Sequence, residues 1–288
     1  MDYLNALVQG VLLGGLYALV ATGLSLTFGV MRLVNLAHGD LAVLASFFCA
    51  SVSDSLGWNP LVSLAIVLPV ALVVGVVLDK TVFERVVGVD PAYQIVATFG
   101  LAIAIQNLLL ERYSANQRRL DPGSIGRDSI RLTDDIAIGW MPLITFLVGV
   151  GVLVALSLFL GRTQLGRAFR ATSDDTAAAR LVGIDDRRIY AVALGISVAT
   201  AALAGVFLGI RTQFDPASGP VRLIFAFEAV VIGGLGSLWG TLAGGIILGV
   251  AQAVGSQFSI GWGVLIGHMV FLMVLAFRPA GLFGKAVA

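Results

Sequence analysis

The chain has 288 residues, of which 58% are hydrophobic and only 12% charged. Soluble domains carry about 25% charged residues, so this chain has too little polar surface to cover an apolar core, and a bilayer is the implied solvent. A net charge of +1 gives no reason to expect nucleic-acid binding, and a single cysteine, Cys49, excludes an internal disulfide.

The N-terminus, Met-Asp-Tyr-Leu-Asn, lacks a basic leader region, and the apolar stretch after it is too long for a signal core. It reads as a retained span. Apolar runs predict membrane-crossing helices over about 5–29, 36–53, 61–80, 93–111, 140–160, 189–210, 240–256 and 260–277. A shorter, glycine-interrupted run covers 223–237. It reads either as a half-helix or as one arm of a hairpin with 240–256. Broken backbone survives at membrane depth only inside protein or beside water.

Lys and Arg in alternate connections divide 11 to 7. The richer set is Arg32, Lys80, Arg85, Arg278, Lys285 and the six arginines of 161–188, and it marks the cytoplasmic side. The other set is Arg112, Arg118, Arg119, Arg127, Arg131, Arg211 and Arg222. It includes the external connection 112–139, whose arginines are offset by Glu111, Asp121, Asp128, Asp134 and Asp135. Either a small external platform or a solvated connection fits that stretch. Glycine is abundant, at 35 residues, and clusters within spans. Gly240 with Gly244, and Gly245 with Gly249, form small-xxx-small pairs that favour close helix approach. Residues 10–19 and 240–249 share a loose Gly-Leu-Gly-Gly pattern, which fits either an internal repeat of the transporter kind or, more simply, compositional bias.

The segment 161–188 is the polar exception. It carries Arg162, Arg167, Arg170, Arg180, Arg187 and Arg188 against Asp174, Asp175, Asp185 and Asp186. Thr172 and Asp175 fit a capping box, with Thr172 as N-cap. Asp174 and Asp175 suit the first turn, Arg180 the last, and Gly183 supplies a left-handed stop. The pattern predicts a helix over about Ser173–Val182 with Ala177, Ala178, Leu181 and Val182 as an apolar face. So short a helix must pack on something, either its own bundle or a cytoplasmic partner.

Thr176-Ala-Ala-Ala-Arg-Leu-Val-Gly-Ile184 resembles the cytoplasmic loop by which ABC importer permeases engage their ATPases. It occurs together with Asn35-Leu-Ala-His-Gly-Asp40, with Phe225-Ala-Phe-Glu-Ala-Val-Val-Ile-Gly-Gly-Leu-Gly-Ser-Leu-Trp-Gly-Thr241, and with the ending Arg278-Pro-Ala-Gly-Leu-Phe-Gly284. Together these resemble the branched-chain amino acid ABC permeases, the shorter of their two types, nearly end to end. Urea and short-amide permeases look similar. The resemblance implies an all-α polytopic membrane protein, with about eight transmembrane helices and a short broken helix in one permease domain, 1–288. It implies a second related permease, two cytoplasmic ATPases, an extracytoplasmic solute-binding protein, and a bacterial inner-membrane location. It also implies ATPase docking at Thr172, Asp174, Asp175, Ala177, Ala178, Leu181, Gly183 and Ile184. Thr176 stands where such loops usually begin with an acidic residue.

Polar residues within spans are the candidates for a substrate path: Asn35, His38, Asp40, Gln106, Asn107, Glu228 and Gln252. Asn35, His38 and Asp40 open the second span, near the cytoplasmic face by the orientation above. There they either bind an anionic group, or Asn35 caps the helix while Asp40 answers its dipole. Glu228 is costly at membrane depth without a partner; it faces a substrate ammonium or another helix, or it pairs with Arg222 near the outer interface. Gln106, Asn107 and Gln252 suit interhelical hydrogen bonds, and His268 suits packing. No phosphate-cradling Gly-x-x-x-x-Gly-Lys motif and no clustered metal ligands occur, so no nucleotide, metal or other cofactor is expected. The rivals are a secondary transporter or channel, which needs coupling-ion groups, an intramembrane enzyme, which needs a nucleophile–base pair or a metal set, and a structural subunit of a larger membrane complex.

Overall fold

The structure is a computed structural model that describes residues 2–126, 128–131 and 137–284. Arg127, Asp134, Asp135 and Lys285 from the charge count lie outside the described residues. The described helices are α1 (Asp2–Met31), α2 (His38–Leu56), α3 (Pro60–Thr81), α4 (Pro91–Tyr113), α5 (Trp140–Arg162), α6 (Gln164–Asp174), α7 (Thr176–Leu181), α8 (Asp186–Arg211), α9 (Gly219–Gly233), α10 (Leu238–Gly255) and α11 (Ile260–Phe277). A two-stranded hairpin, β1 (Ser129–Arg131) and β2 (Ala137–Gly139), pairs Ile130 with Ile138 between α4 and α5. Seven of these helices are long and apolar enough to cross a membrane; α11 is the eighth apolar helix at 18 residues.

Local chemistry sets the helix starts. Asn59 accepts from the Leu61 N–H at 2.9 Å and Asp90 from the Ala92 N–H at 2.8 Å, and each is followed by proline. A side-chain acceptor at the N-cap satisfies an orphan donor, and proline at the first helical position has no N–H to lose. α3 and α4 therefore begin where the sequence turns back into the bilayer.

Burial divides the helices into two groups. The apolar windows of α1 and α8 are 83% and 78% buried, whereas those of α3, α4 and α5 are only 22% buried. An apolar helix that stays exposed has lipid as its solvent; one that is apolar all round and buried forms the core. α1 and α8 are thus the central pair. α10 packs along α1 through glycines: a Cβ on Gly10 would fall 2.6 Å from Val250 Cα, and one on Gly245 2.6 Å from Gly14 O. Gly240 and Gly244 instead face α9, at Gly233 and Ala229. The two small-residue pairs therefore serve different neighbours. The resembling segments 10–19 and 240–249 turn out to be the two faces of one antiparallel contact.

The run 223–237 resolves into a hairpin. α9 is unbroken, and at 15 residues it reaches about 22 Å by the 1.5 Å rise, short of the roughly 30 Å core. Gly234, at φ 104°, makes the turn into α10. The C-terminal segment closes this end: Leu282 and Phe283 N–H groups donate to Ile232 and Gly233 carbonyls at 2.9 and 3.0 Å. Those are orphan acceptors at the end of α9, so the Pro-Ala-Gly-Leu-Phe-Gly ending acts as a helix cap.

Irregular backbone at depth lies instead at 32–37. Arg32 takes φ 52°, and the chain turns back from the end of α1 into the bundle. Leu33, Asn35 and Ala37 are fully buried there. His38 Nε2 then sits 2.8 Å from Val20 O, well inside α1, and Ser46 donates to Gly205 O in the second half of α8. α2 consequently starts within the membrane and not at its edge. The expected placement of Asn35, His38 and Asp40 near the cytoplasmic face is corrected: a re-entrant link, shielded by α1 and α8, carries them inward.

Candidate functional site

The segment 161–188 is more ordered than its polarity suggests. Thr163 accepts from the Gly166 N–H at 2.9 Å and starts α6. Phe169, fully buried, meets Phe159 edge-on at 5.9 Å between centroids. Ser173 donates to Gly29 O and Arg170 to Leu160 O, which seats α6 on the ends of α1 and α5. Thr172 is therefore a buried residue in the last turn of α6, not an N-cap, and Asp174 closes that helix. Asp175 is the N-cap of the next helix: its Oδ1 accepts from the Ala177 and Ala178 N–H groups at 2.9 and 3.0 Å. The capping-box pattern places the cap about one turn too early, because two helices abut here at Asp175.

α7 ends as the sequence indicates. Gly183 has φ 85°, its N–H donates to Arg180 O at 3.0 Å, and the Ile184 N–H donates to Ala179 O at 3.0 Å. This is the two-bond closure of a left-handed glycine stop. Ala179 faces inward at 3% exposure, while Leu181 and Val182 stand out at 89% and 77%, flanked by exposed Ala177 and Ala178. Arg180 Nε and Nη2 hold both oxygens of Asp186, at 2.8 and 2.7 Å. That fork, the hydrogen bond first, keeps the Arg180 guanidinium charged beyond its ordinary value. It also bolts α7 to the start of α8. Arg187 reaches Glu84 of the α3–α4 turn at 3.0 Å, an exposed pair of small energetic weight. The segment thus presents four apolar residues outward on a rigidly capped helix.

The polar residues at depth form separate groups. Asn35 Oδ1 accepts from the Ala37 N–H at 3.0 Å, closing the turn before α2; Ala37, not Asn35, is the N-cap. Asp40 Oδ1 accepts from Gln106 Nε2 at 2.9 Å, so α2 and α4 are joined across the bundle. Asn107 points away, its Nδ2 returning to Ile103 O of its own helix, and it joins none of the others. Tyr17 donates to Gln252 Oε1 at 2.6 Å. Glu228 meets His268 of α11, not Arg222, whose guanidinium lies 5.7 Å over the Phe214 ring. Phe225 stacks between Tyr17 and His268, with centroids 5.2 and 6.0 Å away. His268 is therefore the partner that sequence reading assigned to packing; a lone histidine carries no signal of which helix it will face. Asn35 Nδ2, His38 Nδ1, Glu228 Oε2 and Gln252 Nε2 are each buried without a hydrogen-bond partner among the described residues. These groups need a hydrogen-bond partner from outside the described set.

At the opposite end, the connection after α4 is pinned down as a platform. Arg118 and Phe214 exchange backbone hydrogen bonds at 2.8 and 2.9 Å, and the Leu120 N–H donates to Gly209 O at 3.0 Å. The Arg118 guanidinium covers Tyr113 at 5.1 Å and Phe47 at 5.8 Å, and Phe47 meets Phe214 edge-on. A cavity of about 620 Å³ opens beneath this platform.

The chain matches the family model for the branched-chain amino acid transport system permease component over residues 6–276. It belongs to that family. Among curated relatives it is 29% identical to the high-affinity branched-chain amino acid transport system permease protein BraD of Pseudomonas aeruginosa, over 98% of this chain and 96% of that one. It is likewise 29% identical to LivH of Escherichia coli K12, with the same coverage. Among solved structures it shares its fold with PsaBC of Streptococcus pneumoniae, at a TM-score of 0.52 and 14% identity, over 97% of this chain and 92% of the other. This branched-chain permease component is a multi-pass inner-membrane protein, and its all-α bundle is that of an ABC permease.

Proposed function

We propose that this permease is the translocation subunit of an ATP-driven importer of branched-chain or other neutral amino acids. It works beside a second, related permease, with two ATPases at the end that carries α6 and α7 and a solute-binding protein at the platform end. It holds no hydrolytic machinery of its own and catalyses no covalent chemistry. The observation that carries the reading is α7. A six-residue helix, capped at both ends and clamped to α8, turns Leu181 and Val182 outward at 89% and 77% exposure. Isolated, so short a helix is unstable in water; the protein fixes its shape and leaves its apolar side uncovered, as a groove-binding helix requires. An ion-coupled carrier fits less well, because Asp40 is held by Gln106 and one oxygen of Glu228 by His268.

The test is uptake of labelled leucine, isoleucine, valine and urea by cells with and without this chain. Branched-chain uptake should depend on the chain, and urea uptake should not. Exchanging Ala177 and Ala178 for leucine should abolish uptake and strip the ATPase from the purified complex; full co-purification would remove α7 from the docking role.

Glu228→Gln should leave α9 and α11 together, because a carboxamide still meets His268, and should lower uptake about tenfold by removing a charge-assisted bond. Uptake kinetics indistinguishable from the parent would place Glu228 outside the path.

A further inference from the structure

The link between α1 and α2 holds costs that its sequence does not require. Arg32 takes φ 52°, a left-handed conformation that crowds the Cβ of any L-residue and that glycine alone adopts freely. Its side chain is exposed and makes no hydrogen bond or ion pair among the described residues, so no contact there accounts for the strain. Two further costs follow within six residues. Asn35 and His38 are fully buried. Each is satisfied on one edge only. Asn35 Oδ1 accepts from the Ala37 N–H and His38 Nε2 meets Val20 O, while Asn35 Nδ2 and His38 Nδ1 have no hydrogen-bond partner among the described residues. A buried polar edge left unmet is destabilising. Strain and unmet polar groups gathered in so short a stretch point to an element with a second arrangement.

The place of the link says what it would connect. Just before it, Gly29 O accepts from Ser173 of α6, and a Cβ on Gly29 would lie 3.3 Å from Gly236 in the α9–α10 turn. Just after it, Asp40 accepts from Gln106 of α4 at 2.9 Å, and its carboxylate leaves no room for a Cβ on Gly219, the first residue of α9. The seat of α6 and the meeting point of α2, α4 and α9 are thus joined by residues 32–37. We propose that this link is a two-position strap that transmits movement of α6 to α2. In the position described here Arg32 is left-handed; in the other, Arg32 returns to negative φ and the start of α2 shifts against α4 and α9. The proposal rests on the importer reading and adds to it the element that moves.

Glycine at position 32 removes the cost of the present position and leaves the other unchanged, so Arg32→Gly should hold the strap where it is. Arg32→Ala removes the guanidinium but keeps the Cβ. Both are compared with the parent in the lipid-reconstituted complex of two permeases, ATPases and binding protein. Amide hydrogen exchange over residues 33–41 is followed with and without a non-hydrolysable ATP analogue, beside leucine uptake and ATP hydrolysis. The analogue should alter exchange in the parent and in Arg32→Ala. In Arg32→Gly that response, uptake and hydrolysis should all fall about fivefold, the bias that one relieved backbone penalty implies. An Arg32→Gly complex that behaves as Arg32→Ala overturns the strap. So does an Arg32→Ala complex as slow as Arg32→Gly, since the charge and not the backbone would then matter. A parent whose exchange ignores the analogue overturns it as well. If exchange responds as expected but the parent moves none of leucine, isoleucine or valine, the amino-acid reading fails and the strap is upheld by the exchange.

Discussion

Replacing Gly183 by proline should release the ATPases from the complex while leaving the bundle folded. Gly183 sits at φ 85°, and proline is locked near about −65°. The substitution also deletes the N–H that donates to Arg180 O at 3.0 Å, and it displaces the neighbouring closure from Ile184 to Ala179. A proline forced into an incompatible backbone costs about 3 kcal/mol or more. α7 has only six residues and one buried side chain with which to absorb that. The bundle has no such exposure, because α6 is seated separately by Phe169, Arg170 and Ser173. The measurement is ATPase recovered with tagged permease, set beside the thermal stability of the solubilised bundle. Gly183→Asn is the control, since asparagine tolerates the left-handed conformation. Equal ATPase recovery in the proline variant would mean that α7 does not hold the motor.

The largest loss of fold is expected from Gly245→Leu. A Cβ there meets Gly14 O at 2.6 Å and Ala18 N at 2.8 Å, both backbone atoms of α1. No rotamer change relieves a clash with backbone, so α1 and α10 must separate. Overpacking a core costs typically about 1–3 kcal/mol when side chains can give way, and here they cannot. α1 is the most buried span, so its displacement should reach α8 and α9 as well. We expect the variant to fail to yield monodisperse protein from membranes. Gly151→Leu should behave as the parent, because a Cβ there meets nothing within 4 Å. Comparable yields for both variants would contradict the α1–α10 packing.

The spans were legible because hydrocarbon solvent demands long apolar runs, and α1, α3, α5 and α8 follow those runs to within a few residues. The partition of arginines was legible too: Gly236 abuts Gly29, Ser173 bonds to Gly29 and Arg187 reaches Glu84, which gathers the described members of the richer set at one end. The helix stop at Gly183 has a local chemical signature and was read directly. Depth was not legible. Nothing in residues 32–37 announces that the link re-enters the bundle, since the shielding comes from α1 and α8, far away in sequence. For the same reason Glu228 could not be matched to His268, nor Asp40 to Gln106, while Asn107, one residue on, turns to its own helix. The boundary between α6 and α7 was missed because Asp175 fits both the interior of one long helix and the cap of a short one. Only the seating of Phe169 decides between them. The purpose of the C-terminal motif was likewise hidden, because the carbonyls it caps belong to α9.

α8 runs without interruption for 26 residues, about 39 Å at 1.5 Å per residue. Its first residue, Asp186, is gripped by Arg180 of α7, and its last, Arg211, stands on the rim of the cavity. No proline and no unwound turn separates the two. If α7 is the docking element proposed above, that contact and the cavity share one strut, with no joint to absorb play. Whatever tilts the near end must swing the far end in the same instant, so on that proposal the two ends are geared through a single stiff member.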